Sequence, residues 1–129
     1  MPPFDYFNKR HILIVEDSPD VQSLLSLFLA GEGYHIGFAD NGLRALEYLN
    51  QQTNALPQVI LLDLMMPEMD GFRFRQEQVK IPRIAKIPIV VMTADADGQA
   101  KADAVGAHAF LKKPFLDLET ILSTINRFF

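Results

Sequence analysis

The sequence feature that most constrains the fold is a short apolar run that ends directly in a carboxylate. Residues Val59–Leu62 are consecutive apolar residues, and Asp63 follows them with no polar residue between. Such an unbroken run is typical of a strand buried on both faces, as in a parallel sheet. An ionised carboxylate is costly to bury alone, but the C-terminal end of a parallel strand opens onto the crevice where α/β sheets bind ligands. The run therefore predicts a buried strand that delivers Asp63 to a site.

A simpler role for Asp63 is that of a helix N-cap, because aspartate is a common capping residue. Asp70, however, stands immediately before Gly71, where the next helix is predicted to begin. Asp70 is therefore the better candidate for the cap, and Asp63 is left available for chemistry.

Comparable apolar runs alternate with segments of helical pattern along the chain. Strands are predicted at residues 12–15, 34–38, 59–62, 87–92 and 108–111. Helices are predicted at residues 19–31, from 43 to before 57, and at 72–79, 98–105 and 117–127. Ser18, Asp70 and Asp117 are the predicted N-caps. Five strand–helix repeats predict an α/β fold, with a doubly wound parallel sheet and helices on both faces.

Length and composition narrow the class of protein. A chain of 129 residues predicts one domain, which we place at residues 11–129 after an N-terminal tail at residues 1–10. The sequence contains no cysteine, so disulfides and thiolate metal sites are excluded. The net charge of −4 argues against nucleic acid as a direct partner. With no apolar run of membrane-spanning length and no signal-peptide pattern, we expect no membrane insertion and a cytoplasmic location.

The predicted strands all end at one edge of the sheet, and polar residues stand there. These strand ends carry Glu16, Asp17, Asp40, Asp63, Thr93 and Lys113. Clustered carboxylates repel one another, and an oxygen-only ligand set suits a hard divalent ion such as Mg²⁺. The alternative is an acidic rim shielded by water and Lys113. With a cation bound, one carboxylate could accept a phosphoryl group, which Lys113 and the Thr93 hydroxyl would help to hold.

Four motifs at these strand ends resemble the receiver domain of two-component response regulators. They are ILIVEDS (12–18), LLDLMMPEMDG (61–71), IVVMTA (89–94) and FLKKPF (110–115). The resemblance runs from about Arg10 to the C terminus and is closest in plan to the single-domain chemotaxis type. It implies a flavodoxin-like (βα)5 fold with strand order 2-1-3-4-5. It also implies a phosphorylation-dependent signalling switch, with self-phosphorylation and autodephosphorylation as its only chemistry, rather than an enzyme.

The resemblance implies roles for the acidic residues that match the family motifs. Asp63 matches the phosphoacceptor. Glu16 and Asp17 match the acidic pair that holds Mg²⁺ or Mn²⁺, with Asp17 a direct ligand and Glu16 acting largely through water. Met65 would offer its backbone carbonyl to the same ion.

The resemblance also implies how phosphorylation changes the domain. Thr93 matches the switch hydroxyl, Ala94 the small residue that leaves the phosphoryl group room, and Lys113 the phosphate-binding lysine. The peptide bond between Lys113 and Pro114 is expected to be cis, and Phe110 matches the aromatic switch position. Phosphorylation would draw Thr93 inward and let Phe110 turn inward. The face formed by the fourth helix, the fifth strand and the last helix would then change shape.

The implied partners are a sensor histidine kinase or a phosphotransfer protein, together with a downstream protein that the sequence does not specify. The resemblance also allows a homodimer formed through the face of the fourth helix, the fifth strand and the last helix. The segment between Thr93 and Gly106 is about two residues shorter than is usual in the family. We therefore expect the fourth helix to be short or poorly ordered.

Three rival functions share parts of this pattern. A degenerate receiver would bind partners without phosphorylation, but the acid pair, acceptor, threonine and lysine are all present. A flavodoxin relative would need a phosphate-binding loop rich in Ser, Thr and Gly where this chain has Glu16 and Asp17. A phosphatase of the haloacid dehalogenase type would need a second acid two residues after Asp17, where Pro19 stands.

Overall fold

The computed structural model describes residues 10–51, 55–115 and 117–129, and within them five strands alternate with five helices. The strands are β1 (His11–Val15), β2 (His35–Ala39), β3 (Val59–Asp63), β4 (Ile89–Thr93) and β5 (Ala109–Lys112). The helices are α1 (Pro19–Gly31), α2 (Gly42–Gln51), α3 (Gly71–Gln78), α4 (Gly98–Ala104) and α5 (Leu118–Asn126). Most of the predicted N-terminal tail, residues 1–9, lies outside the described residues.

The strands form one parallel sheet in the order β2-β1-β3-β4-β5, which confirms the predicted fold class and strand order. Every residue of β1, β3 and β4 is buried, as expected for central strands covered on both faces. The edge strand β2 is only partly buried. Because all five strands are parallel, their C-terminal ends lie along one edge of the sheet, and this edge carries the candidate site.

Alternate residues of the central strands contribute to two separate hydrophobic cores, one on each face of the sheet. The core on one face unites strand residues with α2, α3 and α4, and its members include Leu13, Ile60, Leu62, Val91, Leu49, Phe74 and Ala102. The core on the other face unites strand residues with α1 and α5, and its members include Ile14, Leu61, Met92, Leu25, Leu29, Ile121 and Ile125. Burial on both faces holds the sheet rigid beneath its polar edge.

Side-chain caps begin the helices where the sequence predicts them. Ser18 accepts a hydrogen bond from the Val21 amide (3.4 Å) at the start of α1. Asp70 accepts one from the Arg73 amide (2.9 Å), which confirms it as the cap of α3. At α5, Asp117 accepts one from the amide nitrogen of the second helical residue at 2.9 Å. Each cap satisfies an amide that the helix itself leaves unpaired.

Several predicted boundaries shift by one or two residues for identifiable reasons. The strand predicted at residues 87–92 begins at Ile89, because Pro88 has no N–H to donate to the ladder. The strand predicted at 34–38 begins at His35, because the Tyr34 amide donates to the carbonyl of Leu29 at the end of α1. The fourth helix is short, as expected, and it is a regular helix over Gly98–Ala104. No described helix is long and apolar enough to cross a membrane.

The sequence did not reveal a buried polar cluster at the opposite edge of the sheet. The His11 ring is 4% exposed, with Nδ1 2.8 Å from the Ala55 carbonyl oxygen and Nε2 2.6 Å from the Tyr48 hydroxyl. Since a carbonyl can only accept, Nδ1 carries the proton and Nε2 of the neutral ring accepts from Tyr48. Burial lowers the pKa of His11 below 6.5, and the nearby His35, with ring centroids 4.6 Å apart, lowers it further.

This cluster predicts a loss of stability in mild acid. The unfolded chain binds a proton at His11 near pH 6.5 while the folded chain resists it, so protonation below that pH favours unfolding. We expect the free energy of unfolding to fall as pH drops through and below 6.5, and His11→Gln to flatten that slope. Urea denaturation at a series of pH values checks this. An equally steep slope in His11→Gln would contradict it.

Candidate functional site

The polar residues of the sheet edge are positioned by the ends of four neighbouring strands. Asp63 is the last residue of β3, and Thr93 is the last residue of β4. Glu16 directly follows β1, and its amide donates to the Ala39 carbonyl of β2 at 3.0 Å. Lys113 directly follows β5, and its amide donates to the Thr93 carbonyl at 2.9 Å. The strand ladders therefore fix the backbone beneath each of these side chains.

Three carboxylates converge at this edge. Glu16, Asp17 and Asp63 each offer a carboxylate oxygen, and these oxygens lie within 4.8 Å of one another. Glu16 is 1% exposed and Asp63 6% exposed, whereas Asp17 faces solvent. Partial burial raises the pKa of Asp17, and a hydrogen bond and the negative charge of Glu16 raise it further. Such mutual repulsion between oxygen ligands is typical of a site that a hard divalent cation can occupy.

The ammonium group of Lys113 compensates part of this negative charge. It forms a close ion pair with Glu16, and its Nζ lies 3.5 Å from Oδ2 of Asp63. The lysine side chain is only 19% exposed, so water screens these interactions weakly. The sequence pattern predicted that Lys113 would hold a phosphoryl group on Asp63, and it did not identify Glu16 as the closer partner of the lysine. The neighbouring Lys112 is exposed.

Backbone amides and one further side chain complete the polar framework. The Ser18 amide donates to Oε2 of Glu16 (3.2 Å), and the Met65 amide donates to Oδ1 of Asp63 (3.3 Å). Gln22 on α1 donates from Nε2 to the Glu16 carbonyl oxygen (2.5 Å) and to Oδ1 of Asp40 (3.1 Å). Gln22 was missed by sequence reasoning, since only its place one helical turn after Ser18 hints at this role.

The predicted switch residues adjoin the carboxylates. Thr93 is 3% exposed, and its hydroxyl accepts a hydrogen bond from the Asp95 amide at 3.2 Å. The threonine hydroxyl is thus engaged by its own chain segment in this structure. Ala94 is exposed, and Phe110 is half-buried against the core beneath α4. The peptide bond between Lys113 and Pro114 is cis, as the resemblance implied.

The structure brings together four of the predicted site residues, namely Glu16, Asp17, Asp63 and Lys113. Asp40 stands at the same edge but is held by Gln22 and is not a member of the carboxylate cluster. Met65 has a 62% exposed side chain, so only its backbone is directed at the site. The site is therefore a set of carboxylates and one ammonium, at the carboxyl ends of parallel strands.

Acidic residues and Lys113 gather at the carboxyl ends of the strands of this parallel α/β sheet. The family model for the response regulator receiver domain matches residues 12–126. The chain belongs to the response regulator receiver domain family.

Individual relatives agree with this assignment. The chain is 35% identical over 117 residues to the DNA-binding dual master transcriptional regulator RpaA of Synechocystis sp.. The match covers 89% of this chain but 47% of RpaA, so the chain spans about half the length of that relative. Other transcriptional regulators among its relatives are likewise covered for about half of their length.

Solved structures share the whole fold. The chemotaxis response regulator CheY4 of Vibrio cholerae is 31% identical with a TM-score of 0.83, and the match covers 95% of this chain and 100% of CheY4. The receiver domain of the sensor histidine kinase PA1611 of Pseudomonas aeruginosa PAO1 is 25% identical with a TM-score of 0.83. That match covers 93% of this chain and 97% of the PA1611 domain, whose structure has a magnesium ion coordinated in its active-site cleft.

Proposed function

We propose that this domain is the phosphorylation-dependent switch of a two-component phosphorelay, with Asp63 as its phosphoacceptor and residues 11–129 as the receiver unit. The observation that carries the proposal is the placement of Asp63. This buried carboxylate ends β3, lies 3.5 Å from the Lys113 ammonium and belongs to the cluster with Glu16 and Asp17. A sensor histidine kinase or a phosphotransfer protein would supply the phosphoryl group.

The transfer is a displacement at phosphorus. A carboxylate oxygen of Asp63 forms a bond to the phosphorus atom of a phosphohistidine, and the phosphorus–nitrogen bond breaks. The electron pair of that bond stays on the imidazole nitrogen, which takes a proton from solvent. Lys113, already 3.5 Å from Asp63, stabilises the negative charge on the transferred group.

The donor set fits a hard divalent cation, because it consists of oxygens alone. Asp17, Asp63 and the backbone carbonyl of Met65 would hold Mg²⁺ or Mn²⁺, with Glu16 acting largely through water. When bound, the ion supplies charge neutralisation for phosphoryl transfer. The magnesium reported in the cleft of the PA1611 receiver domain supports this assignment. So does the raised pKa of Asp17, which is caused first by burial and then by the hydrogen bond and negative charge of Glu16, because a cation would stabilise the ionised carboxylates.

The response to phosphorylation begins at Thr93. Its hydroxyl would leave the Asp95 amide and donate to a phosphoryl oxygen, and the exposed Ala94 leaves room for that group. Phe110 would then turn inward, and the face made by α4, β5 and α5 would change shape. That face would control the binding of an unidentified downstream protein or the formation of a homodimer. The alternative is that the domain only relays phosphate. The cysteine-free sequence suits a cytoplasmic location.

The test is intact-mass analysis of the purified chain after incubation with acetyl phosphate, with Mg²⁺ or with EDTA. We expect one phosphoryl adduct in Mg²⁺, which hydroxylamine removes as it removes acyl phosphates, and none in EDTA. Mn²⁺ should replace Mg²⁺. A chain that neither accepts the label nor binds either ion would be a degenerate receiver that works by docking alone.

A further inference from the structure

The first residue of α4 is a glycine whose missing side chain leaves room for an aromatic ring. A Cβ atom on Gly98 would lie 2.6 Å from Cζ and 2.8 Å from Cε1 of Phe110, and 2.7 Å from Cγ2 of Thr93. Carbon atoms that are not bonded prefer separations of about 3.5–4.0 Å. The position therefore accepts only glycine while the Phe110 ring and the Thr93 methyl group stay where they are.

Three elements meet at this point. Phe110 on β5 pairs in register with Val91 of β4. Thr93 lies two residues after Val91, so the side chains of Phe110 and Thr93 share a face of the sheet. Both lie within 2.8 Å of the space that a Cβ on Gly98 would fill. The ring and the methyl group of the residue that would respond to phosphate therefore both rest against the start of α4.

The two ends of α4 are held differently. At the C-terminal end, Arg75 of α3 donates from Nε to the Val105 carbonyl (2.9 Å) and from a terminal nitrogen to the Gly106 carbonyl (3.4 Å). At the N-terminal end, Asp97 makes no side-chain capping bond within the described residues. The Gly98 amide donates to the Asp95 carbonyl at 3.1 Å, and Lys101 forms an ion pair with Asp95. The end that rests on Phe110 is therefore held by its own chain segment, whereas the C-terminal end is held from α3.

We propose that Gly98 is a positioning residue of the switch, which seats the Phe110 ring against Thr93 and so passes movement of Thr93 to the start of α4. The inference rests on the proposed function, in which Thr93 responds to phosphorylation of Asp63. What it adds is a role for Gly98: because residue 98 has no side chain, the end of β4 is coupled to the short helix α4.

A methyl group at residue 98 would displace the ring, and because Cγ2 of Thr93 lies as close, the start of α4 would also have to move away from the threonine. Thr93 is 3% exposed and is tied through its hydroxyl to the Asp95 amide and through its carbonyl to the Lys113 amide. Phe110 is only half-buried, and the atoms in conflict are at the far end of its side chain. Rotation of the ring towards solvent is therefore the cheaper adjustment.

The experiment compares Gly98→Ala with Gly31→Ala by methyl and amide NMR. Gly31 is a suitable control, because it is also a helical glycine and a Cβ there would meet no described atom within 4 Å. In the unphosphorylated protein, we expect Gly98→Ala to lose the ring-current displacement of the Thr93 methyl resonance, and Gly31→Ala to keep it. After acetyl phosphate and Mg²⁺, the α4 amide shifts seen in the wild type should be lost in Gly98→Ala only.

A Thr93 methyl resonance that is unchanged in Gly98→Ala, or full α4 shifts in that variant, would overturn the inference. If Gly98→Ala folds poorly, the triple variant Gly98→Ala/Thr93→Ser/Phe110→Leu decides the matter, because serine lacks the Cγ2 atom and leucine lacks the far end of the ring, so both make room for the added methyl. It should unfold at the same urea concentration as Thr93→Ser/Phe110→Leu, and non-recovery would overturn the inference. If the wild-type chain accepts no phosphoryl group, the proposed function is refuted instead. The NMR comparison of unphosphorylated Gly98→Ala and Gly31→Ala would still decide whether Gly98 positions the Phe110 ring.

Discussion

Asp63→Asn is expected to abolish phosphoryl labelling of the chain by acetyl phosphate, down to the level of unreacted protein. An asparagine amide keeps the shape of the side chain but has no anionic oxygen to attack phosphorus. The other members of the cluster are poor substitutes, since Glu16 is paired with Lys113 and Asp17 faces solvent at the rim. Intact-mass spectra of both proteins, recorded with Mg²⁺ present, check the result.

Asp40→Asn is the matched control for this experiment. Asp40 follows β2 at the same edge of the sheet, is exposed and is held by Gln22 outside the carboxylate cluster. The control should therefore be labelled like the wild type. An adduct that persists in Asp63→Asn would mean that a different carboxylate is the acceptor.

Lys113→Met is expected to lower the free energy of unfolding by about 3 kcal/mol in the absence of divalent cations, because breaking a buried ion pair leaves its partner uncompensated. The partner here is Glu16, which is 1% exposed and lies in a cluster with two further carboxylates. Methionine retains most of the aliphatic stem, so the change removes mainly the charge. Urea denaturation in EDTA, followed by circular dichroism, measures the loss.

Two further variants separate charge compensation from packing. Lys112→Met removes an exposed neighbouring charge and should change stability by no more than about 0.5 kcal/mol, as is usual for surface substitutions. Glu16→Gln combined with Lys113→Met should recover part of the loss, because the closest buried carboxylate is then removed and only the more distant Asp63, 3.5 Å from the lysine in the wild type, is left without that cation. A double variant as unstable as Lys113→Met would show that the lysine acts through its packing.

The order of the elements and the edge that carries the site could be predicted from local patterns. Unbroken apolar runs such as Val59–Leu62 mark strands covered on both faces, and capping residues such as Asp70 mark where helices begin. Both signals depend only on neighbouring residues in the sequence, so they can be recognised without the tertiary structure. The prediction that Glu16, Asp17 and Asp63 converge followed from the parallel sheet, and the roles assigned to them remain predictions.

Other features of the site depend on contacts between residues that are distant in sequence. The ion pair between Lys113 and Glu16 depends on which of several nearby carboxylates the lysine side chain reaches. The hydrogen bonds of Gln22 depend on how α1 is rotated over the sheet. Neither set of contacts is encoded in a local sequence pattern, because each is determined by side-chain rotamers and by the packing of whole helices and strands.

The sequence by itself determined the alternation of strands and helices, the parallel sheet and the acidic edge, since these follow from hydrophobic periodicity, caps and chain connectivity. Only the tertiary structure decided that Lys113 pairs with Glu16, that Arg75 holds the end of α4, and that Gly98 admits the Phe110 ring beside Thr93. The physical reason is that periodicity records which face of an element is buried. It does not record the ångström-scale fit between faces, which arises when the two cores close around the sheet.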